Sequence, residues 1–233
     1  MPEHISKQFD QELEAVRARV LQMGGLVEEQ IINAMESLAS GDVELANTVM
    51  ANDHRVNALE VALDEECSMI IARRQPTARD LRMLLTVIKT ITDLERIGDE
   101  ASKVARMAKL IYETDRIVSP RFTEIKHMTS IVLDMLRKAL DGFARLEASN
   151  ATQIARLDES VDEEYRMVLR HLVTYMMEDP RTISMFIEII FAAKAIERMG
   201  DHAKNMSEYV VYMVKGKDVR HTSVEEMEKE VSR

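Results

Sequence analysis

The segment Asp93-Leu-Glu-Arg-Ile-Gly-Asp-Glu-Ala101 returns 102 residues later as Ala195-Ile-Glu-Arg-Met-Gly-Asp-His-Ala203, and Asp53-His-Arg-Val-Asn57 returns 105 residues later as Asp158-Glu-Ser-Val-Asp162. A period this long exceeds that of any solenoid built on one helix pair, so the chain reads as two copies of a small domain. The difference of three is absorbed in the turns near Pro76 and Pro180.

The chain has 7 Gly and 4 Pro in 233 residues, where an ordinary globular protein would carry more than twice that share. Long uninterrupted helices follow. Breaks at Ser40-Gly41-Asp42, Gln75-Pro76-Thr77, Ser119-Pro120, Ala148-Ser149-Asn150, Asp179-Pro180 and Lys215-Gly216-Lys217 predict six helices near 6–39, 42–74, 77–114, 120–148, 150–178 and 180–215. Ser119 and Asp179 stand as N-caps before a proline at the first helical position, and Thr77 as an N-cap with Asp80 three residues on. Short turns make neighbouring helices antiparallel. The expected fold is all-α: two tandem three-helix bundles, 1–117 and 118–216, with a tail over 217–233. In the tail, Ser223 and Glu226 form a capping box, and Val224, Met227 and Val231 form its apolar edge.

A net charge of −10 without a basic tract argues against nucleic acid as a partner. Cys67 is the only cysteine, so no internal disulfide or cysteine-rich zinc site can form. Met1-Pro-Glu-His-Ile-Ser lacks a basic and apolar leader pattern, and Ile183–Ile196 is interrupted by Glu188 and Lys194. A cytoplasmic chain is expected. Most of the 17 Met are read as core filler, with Met176 and Met177 as the alternative binding group.

Helical phase places acids on the apolar stripes. At 100° per residue, Glu95 and Asp99 continue the stripe of Leu84, Ile88 and Ile91, and Glu197 and Asp201 continue that of Phe186, Ile190 and Ala193. Asp53 and Glu60 lie with Val49, Val56, Leu63 and Cys67; Asp158, with Asp162 at the edge, lies with Ile154, Val161, Val168 and Leu172. Carboxylates concentrated this way must take up protons, pair with basic groups or bind cations. All-oxygen donors suit hard divalent cations or oxidised iron. The alternatives are solvated faces and interhelical ion pairs through Arg96 and Arg198. Gly98 and Gly200, unfavourable inside helices, are explained by close helix approach beside the acids. His202 follows Asp201 but Glu100 takes its place in the first copy, so a satisfied or solvent-facing histidine is expected there. No Glu-x-x-His pair at these acids, no phosphate loop and no hydrolase elbow occurs.

Ala72-Arg-Arg-Gln-Pro-Thr-Ala-Arg-Asp-Leu-Arg82, Tyr175-Met-Met-Glu-Asp-Pro180 and the two Glu-Arg-apolar-Gly-Asp segments together resemble the PhoU family over almost the whole chain. The resemblance implies two similar three-helix bundles, frequent homodimers and metal clusters at acidic motifs. By position these are Asp158, Asp162, Glu197 and Asp201, and Asp53, Glu95 and Asp99, with Asn57 leaving the first set one acid short. It further implies a non-enzymatic adaptor, peripheral to membrane complexes, that links a phosphate ABC transporter through its ATPase PstB to the sensor kinase PhoR. Such a protein represses the phosphate-starvation response when phosphate is plentiful. Arg74, Gln75, Pro76, Arg79, Asp80 and Arg82 are the candidate partner contacts. The rival classes are a metal buffer and a metal-dependent hydrolase or oxidase.

Overall fold

The computed structural model describes residues 7–113 and 122–232. Six long helices are present, α1 (Lys7–Ser40), α2 (Val43–Arg74), α3 (Ala78–Glu113), α4 (Thr123–Arg145), α5 (Ala151–Glu178) and α6 (Ile183–Lys215), followed by a short α7 (Val224–Val231). No strand occurs among the described residues. Helices of this length persist because a continuous apolar face is buried along each.

The ends follow local chemistry. Asp42 caps α2 by accepting the Leu45 N–H, while Gln75 adopts a left-handed conformation at its end, ahead of Pro76. Thr77 accepts the Leu81 N–H through its backbone carbonyl. Asp179 caps as expected, accepting the Arg181 N–H at 3.1 Å. The residues it caps, Pro180–Thr182, form a 3₁₀ turn, and the α-helix begins only at Ile183. Asp179 also grips the Arg181 guanidinium at 2.8–2.9 Å, which holds this turn tight. The expected start at Ser119-Pro120 and the division at 117/118 fall outside the described residues. The tail forms its capping box, with Met227 buried and Val224 and Val231 packed beside it on Ala148, Ala151, Ala155 and Val211.

Helices α1–α3 form one antiparallel bundle and α4–α6 the other. The most extensive packing in the molecule joins α3 to α6 across the two halves. These two helices run antiparallel: Arg82 lies beside Gly216, Thr86 bonds the Tyr209 carbonyl, and Glu100 pairs with Arg198. One continuous core results, from Phe9 and Leu38 in α1 through Ile91 and Ile97 in α3 to Met199 and Met206 in α6. Nine methionines, including Met23, Met128 and Met135, are buried in the protein interior, and Met176 packs against the main core, whereas Met177 is exposed. Among the described residues no helix is long and apolar enough to cross a membrane.

Candidate functional site

Stripe phase puts the acids where helices α2 and α3, and α5 and α6, face each other. Val49, Val56, Leu63 and Cys67 are buried, as are Ile154, Val161, Val168 and Leu172. In the second half Asp158 and Glu197 are buried with them, at 7% and 8% exposure. Asp99 and Asp201, by contrast, are exposed. They stand about 60° from the centre of the stripe, one turn beyond Glu95 and Glu197, enough to bring their carboxylates to the rim. The acids therefore line a wall that runs from core to surface.

The second cluster contains its own amines. Lys194 donates to Glu197 Oε1 at 2.6 Å, and its amine also lies 5.4 Å from the centre of the Tyr165 ring. Lys204 donates from α6 to Asp158 Oδ2 at 2.7 Å. Asp162 is 3.8 Å from Arg166. Partial burial first, then the charges of Glu197 and Asp158, push the Asp201 carboxyl up to about 6 against the opposing pull of Lys194. Two turns along α6 from Asp201, burial raises Glu208 to about 7, with Lys204 opposing it.

The first cluster is composed differently. Gln30 of α1 reaches in and donates to Asp53 Oδ1 at 3.4 Å, while its own Oε1 is buried without a donor. Burial, then Asp99, Glu60 and Asp53, raise Glu95 against the pull of Arg96; burial, then Asp53, raise Asp99 against the pull of Lys103 and Arg96. Lys103 of α3 bonds Glu100 at 2.8 Å while also pulling on Asp99. Asn57 Oδ1 and Ser102 Oγ are buried without hydrogen-bond partners, as is Glu197 Oε2 in the second cluster. Among the described residues no three Asp, Glu, His or Cys side chains stand converged on a point that would hold a metal ion.

The two glycines separate. A Cβ on Gly98 would stand 2.9 Å from Gln30 Oε1 and 3.6 Å from Asp53 Oδ1, so close approach accounts for glycine there. At Gly200 the nearest atoms, on Val132 and Met135, would be 3.6–3.8 Å away, which is ordinary contact; the close-approach explanation fails for this copy.

The ion-pair alternative is realised across the halves for Arg198, which reaches Glu100 at 2.9 Å, while Arg96 acts on Glu95 and Asp99 of its own helix. His202 is a satisfied histidine. Its Nδ1 donates to buried Asp93, which also accepts the Tyr209 hydroxyl. Desolvation and that carboxylate hold Tyr209 well above the ordinary phenol range. The Asp93–His202–Tyr209 group, Lys194, Lys204 and Gln30 all escaped the sequence reading. Lys194, three residues before Glu197, was the one visible signal.

Of the candidate partner contacts, Arg74 is held by Glu12 of α1 at 2.6 and 3.0 Å. Arg82 is half-buried against Gly216. Asp80 and Pro76 are half-buried, and Gln75 and Arg79 are exposed.

The family model described as "PhoU domain" matches residues 20–108 and 125–210, one match in each half. The chain is 51% identical over 229 residues to a phosphate-specific transport system accessory protein PhoU homolog of Pseudomonas aeruginosa, covering 98% of this chain and 94% of the relative. It is 44% identical over 226 residues to the phosphate-specific transport system accessory protein PhoU of Escherichia coli (strain K12), covering 97% and 93%. The crystal structure of PhoU from Pseudomonas aeruginosa superposes with a TM-score of 0.86 at 50% identity, covering 90% of this chain and all of that one. That of the phosphate transport system regulatory protein PhoU from Streptococcus pneumoniae gives 0.84 at 29% identity, covering 91% and 99%. With the family match in both halves and these full-length likenesses, the chain belongs to the PhoU family.

Proposed function

We propose that the protein is a non-enzymatic accessory and regulatory adaptor of phosphate-specific transport, acting from the cytoplasm at membrane complexes. The observation that carries this reading is the full-length identity to PhoU accessory proteins, through both copies of the domain. In this role it couples the transporter, through the ATPase PstB, to the sensor kinase PhoR, and holds the starvation response off while phosphate is plentiful. A homodimer is part of the proposal. Gln75 and Arg79, exposed at the α2–α3 turn, are the partner contacts best placed to be reached. The acid walls serve as cation sites that neutralise charge and fix helix spacing; the buried, donor-free oxygen of Gln30 beside Asp53 supports this use in the first half. Hard divalent cations suit that donor set.

The test is alkaline phosphatase activity in phosphate-rich medium, compared between the source organism, a deletion strain and complemented strains. High activity on deletion, restored to low by the wild-type gene, is expected. Unchanged low activity overturns the reading. So does metal-dependent turnover of phosphoesters by the purified protein that is lost in Glu197→Ala.

A further inference from the structure

The chain carries a net charge of −10, yet one corner of the molecule is basic. Arg79, Arg82 and Lys89 lie along the N-terminal part of α3, and Lys215, Lys217 and Arg220 follow one another at the end of α6 and in the segment leading to α7. Antiparallel packing of α3 on α6 brings the two groups together. The Arg82 guanidinium lies 3.6–3.8 Å from where a Cβ on Gly216 would stand, and the Lys89 amine sits 5.3 Å and 5.8 Å from the centres of the Tyr209 and Tyr212 rings. Lys215 stands one turn beyond Tyr212 on the same face of α6. No single stretch of sequence shows this corner, because it is assembled across the two halves.

The carboxylates within reach leave most of this charge unanswered. Asp218 is gripped by Arg220 at 2.6–3.1 Å and also feels Lys89. Asp93 and Glu208 are buried, Asp93 beneath His202 and Tyr209. Asp80 is half-buried, and Glu12 is bonded to Arg74. Arg79, Arg82, Lys215 and Lys217 have no carboxylate at ion-pair distance among the described residues. The buried Nε of Arg82 has no acceptor, and its terminal nitrogens bond no described residue. Resting on aromatic rings attracts the Lys89 amine but does not cancel its charge. Like charges held this close repel, and an anionic partner relieves that repulsion.

We propose that this corner is a docking surface for an acidic segment of a partner protein, with Arg79, Arg82, Lys89, Lys215 and Lys217 meeting its carboxylates beside the Tyr209 and Tyr212 rings. This rests on the adaptor reading given above. Charge complementarity selects the sign of the partner, and the surroundings select its class. The helix α7 begins four residues after Arg220 and carries Glu225, Glu226 and Glu228, all exposed, so acids border the basic corner. A flat anionic membrane would bring its charge against those acids as well as the bases, whereas a narrow protein segment meets the bases alone. Complementarity of this kind speeds encounter and sets partner choice, and its hold weakens with salt.

The experiment measures binding of the full chain to the purified transporter ATPase, to the sensor kinase in detergent, and to vesicles of equal parts phosphatidylglycerol and phosphatidylcholine, each at low and high salt. Wild type is compared with Arg79→Glu/Lys215→Glu/Lys217→Glu and with Arg55→Glu/Lys126→Glu/Arg170→Glu, which makes the same change in net charge at exposed bases outside the corner. All six positions are exposed, and thermal unfolding checks that both variants keep their fold. At least one of the two proteins is expected to bind wild type in a salt-sensitive way, to lose tenfold or more in affinity with the corner variant, and to lose less than threefold with the other. Equal losses from the two variants, or no loss from the first, overturn the assignment while leaving the adaptor reading standing. Vesicle binding that the corner variant loses while protein binding stays intact gives the corner to a membrane and overturns it as well. Binding of neither protein by wild type overturns both.

Discussion

His202 Nδ1 lies 2.6 Å from Asp93 Oδ1, and the two residues belong to opposite halves of the molecule. The bond is nearly closed to solvent, with side-chain exposures of 12% and 8%. His202→Ala leaves Asp93 buried with only the Tyr209 hydroxyl, and a destabilisation of about 2 kcal/mol is expected. Urea denaturation measures it; a change below about 0.5 kcal/mol would show that the pair contributes nothing. In a double-mutant cycle with Asp93→Ala the two losses are expected to be clearly non-additive.

Glu208 sets a pH dependence. Its folded-state carboxyl is raised to about 7 by burial, above the ordinary 4.5. Between those values the folded protein holds a proton that the unfolded chain releases, so stability falls as pH rises from about 4.5 to 7 and then levels off. The decline from this one group is on the order of 3 kcal/mol. Asp201, raised to about 6, adds in the same direction. Glu208→Gln should flatten the curve and stabilise the protein at pH 8; a wild-type curve that rises over this window contradicts the assignment.

The two repeat glycines should respond differently to the same substitution. Gly200→Ala puts a methyl into ordinary contact and gains helix propensity, a stabilisation approaching 1 kcal/mol. Gly98→Ala pushes the Gln30 carboxamide off Asp53 and should gain less or lose. Thermal unfolding of the two variants side by side decides; equal gains would remove the packing argument for Gly98.

Arg79 is exposed, so Arg79→Glu should leave stability within about 0.5 kcal/mol. If the α2–α3 turn contacts a partner, the same variant raises alkaline phosphatase in phosphate-rich medium. Arg74→Glu serves as the comparison, because it breaks the bond to Glu12 and lowers stability as well. Repression by Arg79→Glu at the wild-type level would take this residue out of the contact surface.

Helix number and ends were legible because Gly, Pro and capping residues act locally; Asp42, Asp179 and the Ser223–Glu226 box hold their ends as ordinary cap chemistry dictates. Stripe phase located Asp158 and Glu197 inside the wall, as the spacing of apolar positions predicts. It misplaced Asp99 and Asp201 because a residue 60° off axis can lie on either side of the boundary between core and water. The lysines were harder to read. A four-carbon stem lets Lys204 cross from α6 to an acid on α5, and periodicity records where a residue is attached, not how far its charge travels. The pairing of α3 with α6 left a trace in α3, where Thr86, Thr90, Asp93 and Glu100 are buried on a second face, opposite the Leu84 stripe. Polar residues on that face disguise it as solvent-facing, although Tyr209, His202 and Arg198 meet Thr86, Asp93 and Glu100 there, and Thr90 Oγ1 is buried without a partner.

That second face makes the two halves complementary and not interchangeable. At the repeat offset, Asp93 matches Ala195 and Glu100 matches His202. Two copies of the first half set face to face would put Asp93 opposite Glu100, acid against acid; two copies of the second would leave His202 opposite Ala195, with nothing to accept its proton. Each half has become the complement of the other and no longer of itself. A symmetric pair of single halves would therefore lose the Asp93–His202 bond that joins the two bundles here.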